Sequence, residues 1–275
     1  MKVVIPMAGT GNRFVEAGYT DPKPLIRANG KRIIEYILDA FDVDDEFVFI
    51  CNEEHLENTN MREVIKGLCP NAEIVSMSVH KYGPVYTVQA AYDFIKDDEP
   101  VIISYCDNPH VWDYTHFKQH VANEGLDGCI LTHSGFHPHT LSTTKMAFLK
   151  TNEGLLEEIK EKESYTDNPM EEHASTGLYY FRRGGDIKKY FNRALNEGVT
   201  YNGEYYVTLV YNLLVEDGLK VGYYDTPFVT VFGTPEELEN FNAWATIIKG
   251  AQVKYVEDAS SCYNYWRKYH EENFC

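Results

Sequence analysis

A chain of 275 residues with 44% hydrophobic and 24% charged side chains has the composition of a globular protein, which excludes wholesale disorder. Its 42 acidic against 25 basic residues leave a net charge of −17, which opposes general binding to nucleic acid. No apolar run approaches the roughly 20 residues of a membrane span, so no membrane partner is expected.

The elements alternate in chain order. Val3-Val4-Ile5 reads as a first strand, following Met1-Lys2 too closely for the apolar region of a signal peptide. Ile33 to Phe41 has helical period, Glu46 to Cys51 is the next strand, and a helix spans Glu54 to Gly67. A third strand at Glu73–Val79 precedes a helix across Val85–Ile95, and the continuous apolar run Pro100–Tyr105 suits the middle of a sheet. Strands are expected at Gly128–His133, Lys145–Lys150, Leu155–Ile159 and Leu178–Phe181. Helices are expected at Asp186–Asn196, Tyr205–Val215 and Pro235–Ile248, the last opened by Thr234 as N-cap. Together they predict an α/β fold with a largely parallel sheet, as one compact domain over residues 1–248. The aromatic-rich tail, 249–275, reads as a terminal helix packed on that domain, with a subunit contact as the alternative. The six cysteines are scattered without C-x-x-C spacing, which argues against zinc and a disulfide framework and fits reduced thiols in the cytoplasm.

The chemistry concentrates near the start. The first strand runs into Ala8-Gly9-Thr10-Gly11-Asn12-Arg13-Phe14. Glycines there let backbone N–H groups approach phosphate oxygens. A Walker A loop would end in Gly-Lys-Ser/Thr, and this loop does not. A dinucleotide fingerprint needs a small residue where Phe14 stands and an acid closing the second strand, which instead ends Ile50-Cys51-Asn52. What remains is G-x-G-x-R followed by Asp21-Pro22-Lys23-Pro24-Leu25, inside a segment (residues 1–34) of net charge +4. Arg13 can fork two phosphate oxygens, and Lys23 supplies a compact charge fixed by flanking prolines.

The segment Ile5–Leu25 resembles the signature of the sugar-phosphate nucleotidyltransferases, which have a Rossmann-related, GT-A-like fold with a mixed, mostly parallel central sheet flanked by helices. The resemblance implies that Ala8, Gly9, Thr10, Gly11 and Asn12 hold a triphosphate and that Arg13 and Lys23 are the catalytic cations. Asp107 closes an apolar strand, where ligands of open α/β sheets gather, and by resemblance it holds Mg2+. Many members carry a second acid two residues before a late Gly-Thr-Pro. Here that place, before Gly233-Thr234-Pro235, is Val231, and Asp225 is the substitute only if the local geometry differs. Gly83-Pro84-Val85-Tyr86-Thr87 is similar to the turn beside the nucleobase, which assigns Gly83 and Thr87 to the nucleotide. Lys160-Glu161-Lys162, the segment around Gly177, and Asn202-Gly203-Glu204 are similar to acceptor-side segments, which assigns Glu161, Lys162, Gly177 and Glu204 to the acceptor. His137, Pro138 and His139 read as an exposed turn and not as metal ligands.

The reading is an NTP and a small phosphorylated acceptor joined with loss of pyrophosphate. The acceptor is a sugar phosphate, a sugar-alcohol phosphate or a small phosphate such as phosphocholine. CTP and a polyol or sugar phosphate are favoured, in the service of capsule or other surface glycans. A GT-A glycosyltransferase is the first alternative, although Asp107-Asn108-Pro109 lacks the second acid of its D-x-D motif. A nucleotide-binding module without turnover is the second, because of Val231. A subunit contact through the tail would make the protein a homo-oligomer.

Overall fold

The computed structural model describes residues 1–135, 137 and 145–249. Pro138, His139 and the tail beyond Lys249 lie outside the described residues.

A nine-stranded sheet forms the centre, ordered β5-β4-β1-β6-β11-β8-β12-β10-β9. The strands are β1 (Lys2–Met7), β4 (Glu46–Asn52), β5 (Glu73–Met77), β6 (Val101–Ser104), β8 (Gly128–His133), β9 (Ala147–Asn152), β10 (Leu155–Glu161), β11 (His173–Phe181) and β12 (Val221–Asp225). Two-residue strands β2 (Arg27–Ala28) and β3 (Lys31–Arg32) pair with each other, as do β7 (His110–Val111) and β13 (Phe228–Val229). β1 runs parallel to β4 and β6, while β11 is antiparallel to both β6 and β8, and β12 is parallel to β8. The sheet is therefore mixed and mostly parallel on its β1 side, and the carboxyl ends of β1, β4, β6, β8 and β12 all lie at one edge.

Both faces are covered, which is why Val3, Val4 and Ile5 are all fully buried despite pointing alternately to opposite sides. Val4, Ile103 and Tyr179 pack with Val85 of α5 (Pro84–Val88), Ile187 of α7 (Gly184–Glu197) and Tyr211 of α8 (Val207–Glu216). Val3, Ile5 and Ile102 pack on the other side with Ile34 of α2 (Ile33–Leu38), Ile65 of α4 (Met61–Leu68) and Phe117 of α6 (Tyr114–Asn123). α9 (Pro235–Lys249) begins with a reciprocal cap in which the Thr234 amide donates to Glu237 Oε2 and the Glu237 amide to Thr234 Oγ1.

Three expectations change. The helix read across Glu54–Gly67 is two helices, α3 (Glu53–Asn58) and α4, because Thr59 adopts an extended backbone and its hydroxyl caps the His55 carbonyl. Val85–Ile95 is one turn of α-helix followed by a 3-10 turn from Gln89 to Phe94. His137, expected in an exposed turn, is buried with its ring edge-on to His133, centroids 6.0 Å apart.

Candidate active site

The glycine loop leaves β1 at the carboxyl edge. Gly11 sits at φ 68 and ψ 31, a left-handed conformation that lets the chain reverse into α1 (Asn12–Glu16). The Phe14 amide closes that turn on the Gly11 carbonyl at 2.8 Å, and the buried Phe14 ring pins it edge-on against Tyr19. Ala8 is buried beneath the loop, Thr10 is half-buried, and Gly9, Asn12 and Arg13 are exposed. The Arg13 side chain makes no ion pair among the described residues and is free to meet a ligand.

Lys23 opens a single 3-10 turn, Lys23–Leu25, fixed by Pro22, Pro24 and the burial of Leu25. Its Nζ donates to Asp107 Oδ2 at 2.6 Å, across 84 residues of sequence, with side-chain exposures of 15% and 27%. The sheet makes this contact: β1 and β6 are neighbours, so the segments that follow them meet. An open cleft continues from Gly11 and Lys23 towards His55 and Asn58 of α3. Sequence reasoning missed His55, whose Nδ1 is buried without a hydrogen bond and whose pKa burial pushes down.

Asp107 is held from behind. The Phe232 amide donates to its carbonyl at 2.7 Å, and the next side chain, Asn108, donates to the Thr176 carbonyl at 2.9 Å. Gly177, at φ 88, has no room for a side chain: a Cβ would stand 2.7 Å from Asn108 Nδ2. It forms the irregularity in β11 that brings the segment around Gly177 against Tyr105 and Asn108. His110 lies 3.1 Å from the Thr176 carbonyl and 2.9 Å from Thr176 Oγ1. The Thr176 hydroxyl donates to the Leu131 carbonyl, so His110 Nε2 is the donor in its own contacts. Burial pushes the His110 pKa down to about 4.

Asp225 is not brought to Asp107. It ends β12, three strand positions from β6, a lateral distance of about 14 Å at ordinary strand spacing. Its Oδ1 accepts from Thr132 Oγ1 at 2.7 Å and faces His173 Nδ1 at 3.0 Å. Burial works to raise its pKa, but the His173 and Thr132 hydrogen bonds hold the net value below the usual one. The segment that does flank Asp107 carries Val231, whose side chain packs with Met146, Phe148 and Ala174. Among the described residues no group of three or more His, Cys, Asp or Glu side chains is placed to hold a metal by itself. One part-exposed carboxylate in the turn after β6, completed by substrate phosphates and water, is a donor set that suits Mg2+, and Asp107 fits it.

The remaining residues gather across the edge. Gly83, at φ 87, admits the backbone of Tyr205: a Cβ there would stand 2.8 Å from the Tyr205 carbonyl oxygen. The Tyr205 amide donates to the Tyr82 carbonyl, and the Val85 amide donates to the Tyr205 carbonyl. Thr87 turns its hydroxyl inward, to the Gly83 carbonyl and His80 Nε2. Glu161 is buried, accepts from Thr208 Oγ1 at 2.7 Å, and has its pKa raised by burial against that hydrogen bond. Lys162 donates to the Tyr206 hydroxyl at 2.8 Å, and that hydroxyl donates to Glu204 Oε2 at 3.0 Å.

Known proteins are similar to this chain in sequence and in fold. Bifunctional protein GlmU of Clostridioides difficile (strain 630) is 24% identical over 259 residues, covering 92% of this chain and 51% of the relative. That of Clostridium novyi (strain NT) is 23% identical over 264 residues, covering 91% and 51%. The chain thus spans about half the length of the curated relatives it matches. A nucleoside-diphosphate-sugar pyrophosphorylase from Vibrio cholerae RC9 has the same fold with a TM-score of 0.72, at 24% identity over 88% of this chain and 99% of that one. An inositol-1-phosphate CTP transferase from T. maritima superposes with a TM-score of 0.68, at 16% identity over 90% and 96%. The model of the MobA-like NTP transferase domain matches residues 3–169, from the first strand through Lys23, Asp107 and Lys162, and the chain belongs to that family.

Proposed function

We propose that the protein transfers a nucleotidyl group from an NTP, with CTP favoured, to the phosphate of a sugar or sugar alcohol. The products are an NDP-activated precursor, for capsule or other surface polysaccharide, and pyrophosphate. The observation that carries the reading is the convergence of the Gly11 turn, Lys23 and Asp107 at one point of the sheet edge.

An acceptor phosphate oxygen attacks the α-phosphorus in line, and the bond to the bridging oxygen of pyrophosphate breaks. No protein nucleophile is needed, so positioning and charge neutralisation carry the rate. Loop amides from Ala8 to Asn12 cradle the phosphates, while Arg13 and Lys23 neutralise charge on the departing oxygens. Asp107 would hold Mg2+, which would supply further charge neutralisation at the phosphates. The Gly83–Thr87 turn faces the nucleotide; Glu161, Lys162, Gly177 and Glu204 face the acceptor. Asp225, paired with His173, is left outside the metal site. The fold neighbour named for CTP transfer to inositol-1-phosphate supports the preference for CTP. The free thiols Cys51, Cys69, Cys106 and Cys129 suit a cytoplasmic setting.

Pyrophosphate release, screened with four NTPs against phosphorylated sugars, polyols and phosphocholine, tests the proposal. Release that requires both CTP and a sugar or polyol phosphate is the expected outcome. Val231 beside Asp107 favours a second reading, a nucleotide-binding module, which tight NTP binding without pyrophosphate from any acceptor would support.

A further inference from the structure

Lys23 and Asp107 are each assigned a partner that their mutual contact excludes. The ammonium sits 2.6 Å from the carboxylate in a part-buried setting, where a charge-assisted hydrogen bond is stronger than in water. A phosphate oxygen needs that same ammonium, and a divalent ion needs that same carboxylate. Among the described residues no second acid flanks Asp107 to ease the competition, since the flanking segment offers Val231. The Lys23 backbone is held between prolines with its Cβ against the Gly11 turn, so the ammonium moves by its own side-chain torsions while its base stays fixed.

We infer that Lys23 is a resident counter-cation for Asp107, and that nucleotide phosphates open the carboxylate to a divalent ion by drawing the ammonium away. This rests on the reading of these two residues given under the proposed function. A divalent ion arriving alone must displace the ammonium and leave it without its partner. Phosphates arriving with the ion give the ammonium a new partner and remove that penalty. Metal and nucleotide then raise each other's affinity by one common factor, as linkage requires. The arrangement keeps a lone carboxylate charge-compensated at the edge of the sheet and favours loading of ion and NTP together.

The discriminating measurement is the binding of Mn2+ alone, followed by the electron paramagnetic resonance of the free ion. The native protein is compared with Lys23→Met, Lys23→Gln, Asp107→Asn and the double variant Lys23→Met/Asp107→Asn, each checked for fold by circular dichroism. Removing the ammonium is expected to tighten Mn2+ binding on the order of tenfold, the worth of one charge-assisted hydrogen bond. The gain is expected in both Lys23 variants and to vanish in the double variant. Equal Mn2+ affinity in native protein and folded Lys23 variants overturns the inference, as does a gain that survives Asp107→Asn. Because no nucleotide or acceptor is present, the outcome is separate from whether pyrophosphate is ever released.

Discussion

The imidazole of His110, buried beside Thr176, stays neutral in the folded protein until about pH 4, whereas in the unfolded chain it protonates near the ordinary imidazole value of 6.5. Between those two values the unfolded state binds the extra proton, so unfolding becomes easier as pH falls. At about 1.4 kcal/mol per pKa unit, the loss amounts to ~3 kcal/mol by pH 4. Urea unfolding of native protein and His110→Gln at pH 7, 5.5 and 4.5 checks this: the native chain is expected to lose stability more steeply than the variant. Parallel slopes would contradict the assignment. Lys23 and Asp107 were legible in the sequence because their patterns are local, a lysine between prolines and an acid ending an apolar run. His110 and Asn108 were not, because their partners lie 66 and 68 residues away on a strand whose pairing no local pattern announces.

Elements were legible where burial is uniform along them. Val3–Ile5 and Val101–Ser104 are covered on both faces, so their apolar runs mark them as strands. The apolar run marks β11 only from Leu178, because its first half, His173 to Gly177, is largely small and polar; it is a strand by virtue of its neighbours β6, β8 and β9. α6 passed unread because only Tyr114, Phe117 and Val121 of its ten residues are buried. Loops differ in what they tolerate. Gly83→Ala forces a Cβ against immovable Tyr205 backbone at a positive φ, and a loss of ~2–4 kcal/mol is expected. A Cβ at Gly9 meets nothing within 4 Å, so Gly9→Ala is expected to stay within about 0.5 kcal/mol of native. The shift of the urea midpoint for each variant measures the contrast, and equal shifts would refute it.

On the scale of the whole molecule, the strand order decides which residues can act together. Parallel β1 and β6 place Lys23 beside Asp107, and the same order sets Asp225 three strands away with His173. The sequence ranks Asp107 and Asp225 without distances; the sheet separates them. The Gly83 turn and the Tyr205 segment, more than a hundred residues apart, are joined by two backbone hydrogen bonds, a pairing invisible to any local reading. The residues proposed to face acceptor and base lie on such joined segments, which is why they are the least legible part of the sequence. A net charge of −17 makes a local cluster of cations the natural address for a polyphosphate. We propose nucleotidyl transfer at this one point of the sheet edge. Its most direct test is pyrophosphate release, with a productive NTP and acceptor pair, by native protein and by folded Lys23→Ala, Arg13→Ala and Asp107→Asn. Release equimolar with the NDP-linked product is expected from the native protein, with a fall of about 100-fold or more in each variant. Near-native release from a folded Lys23→Ala would contradict it.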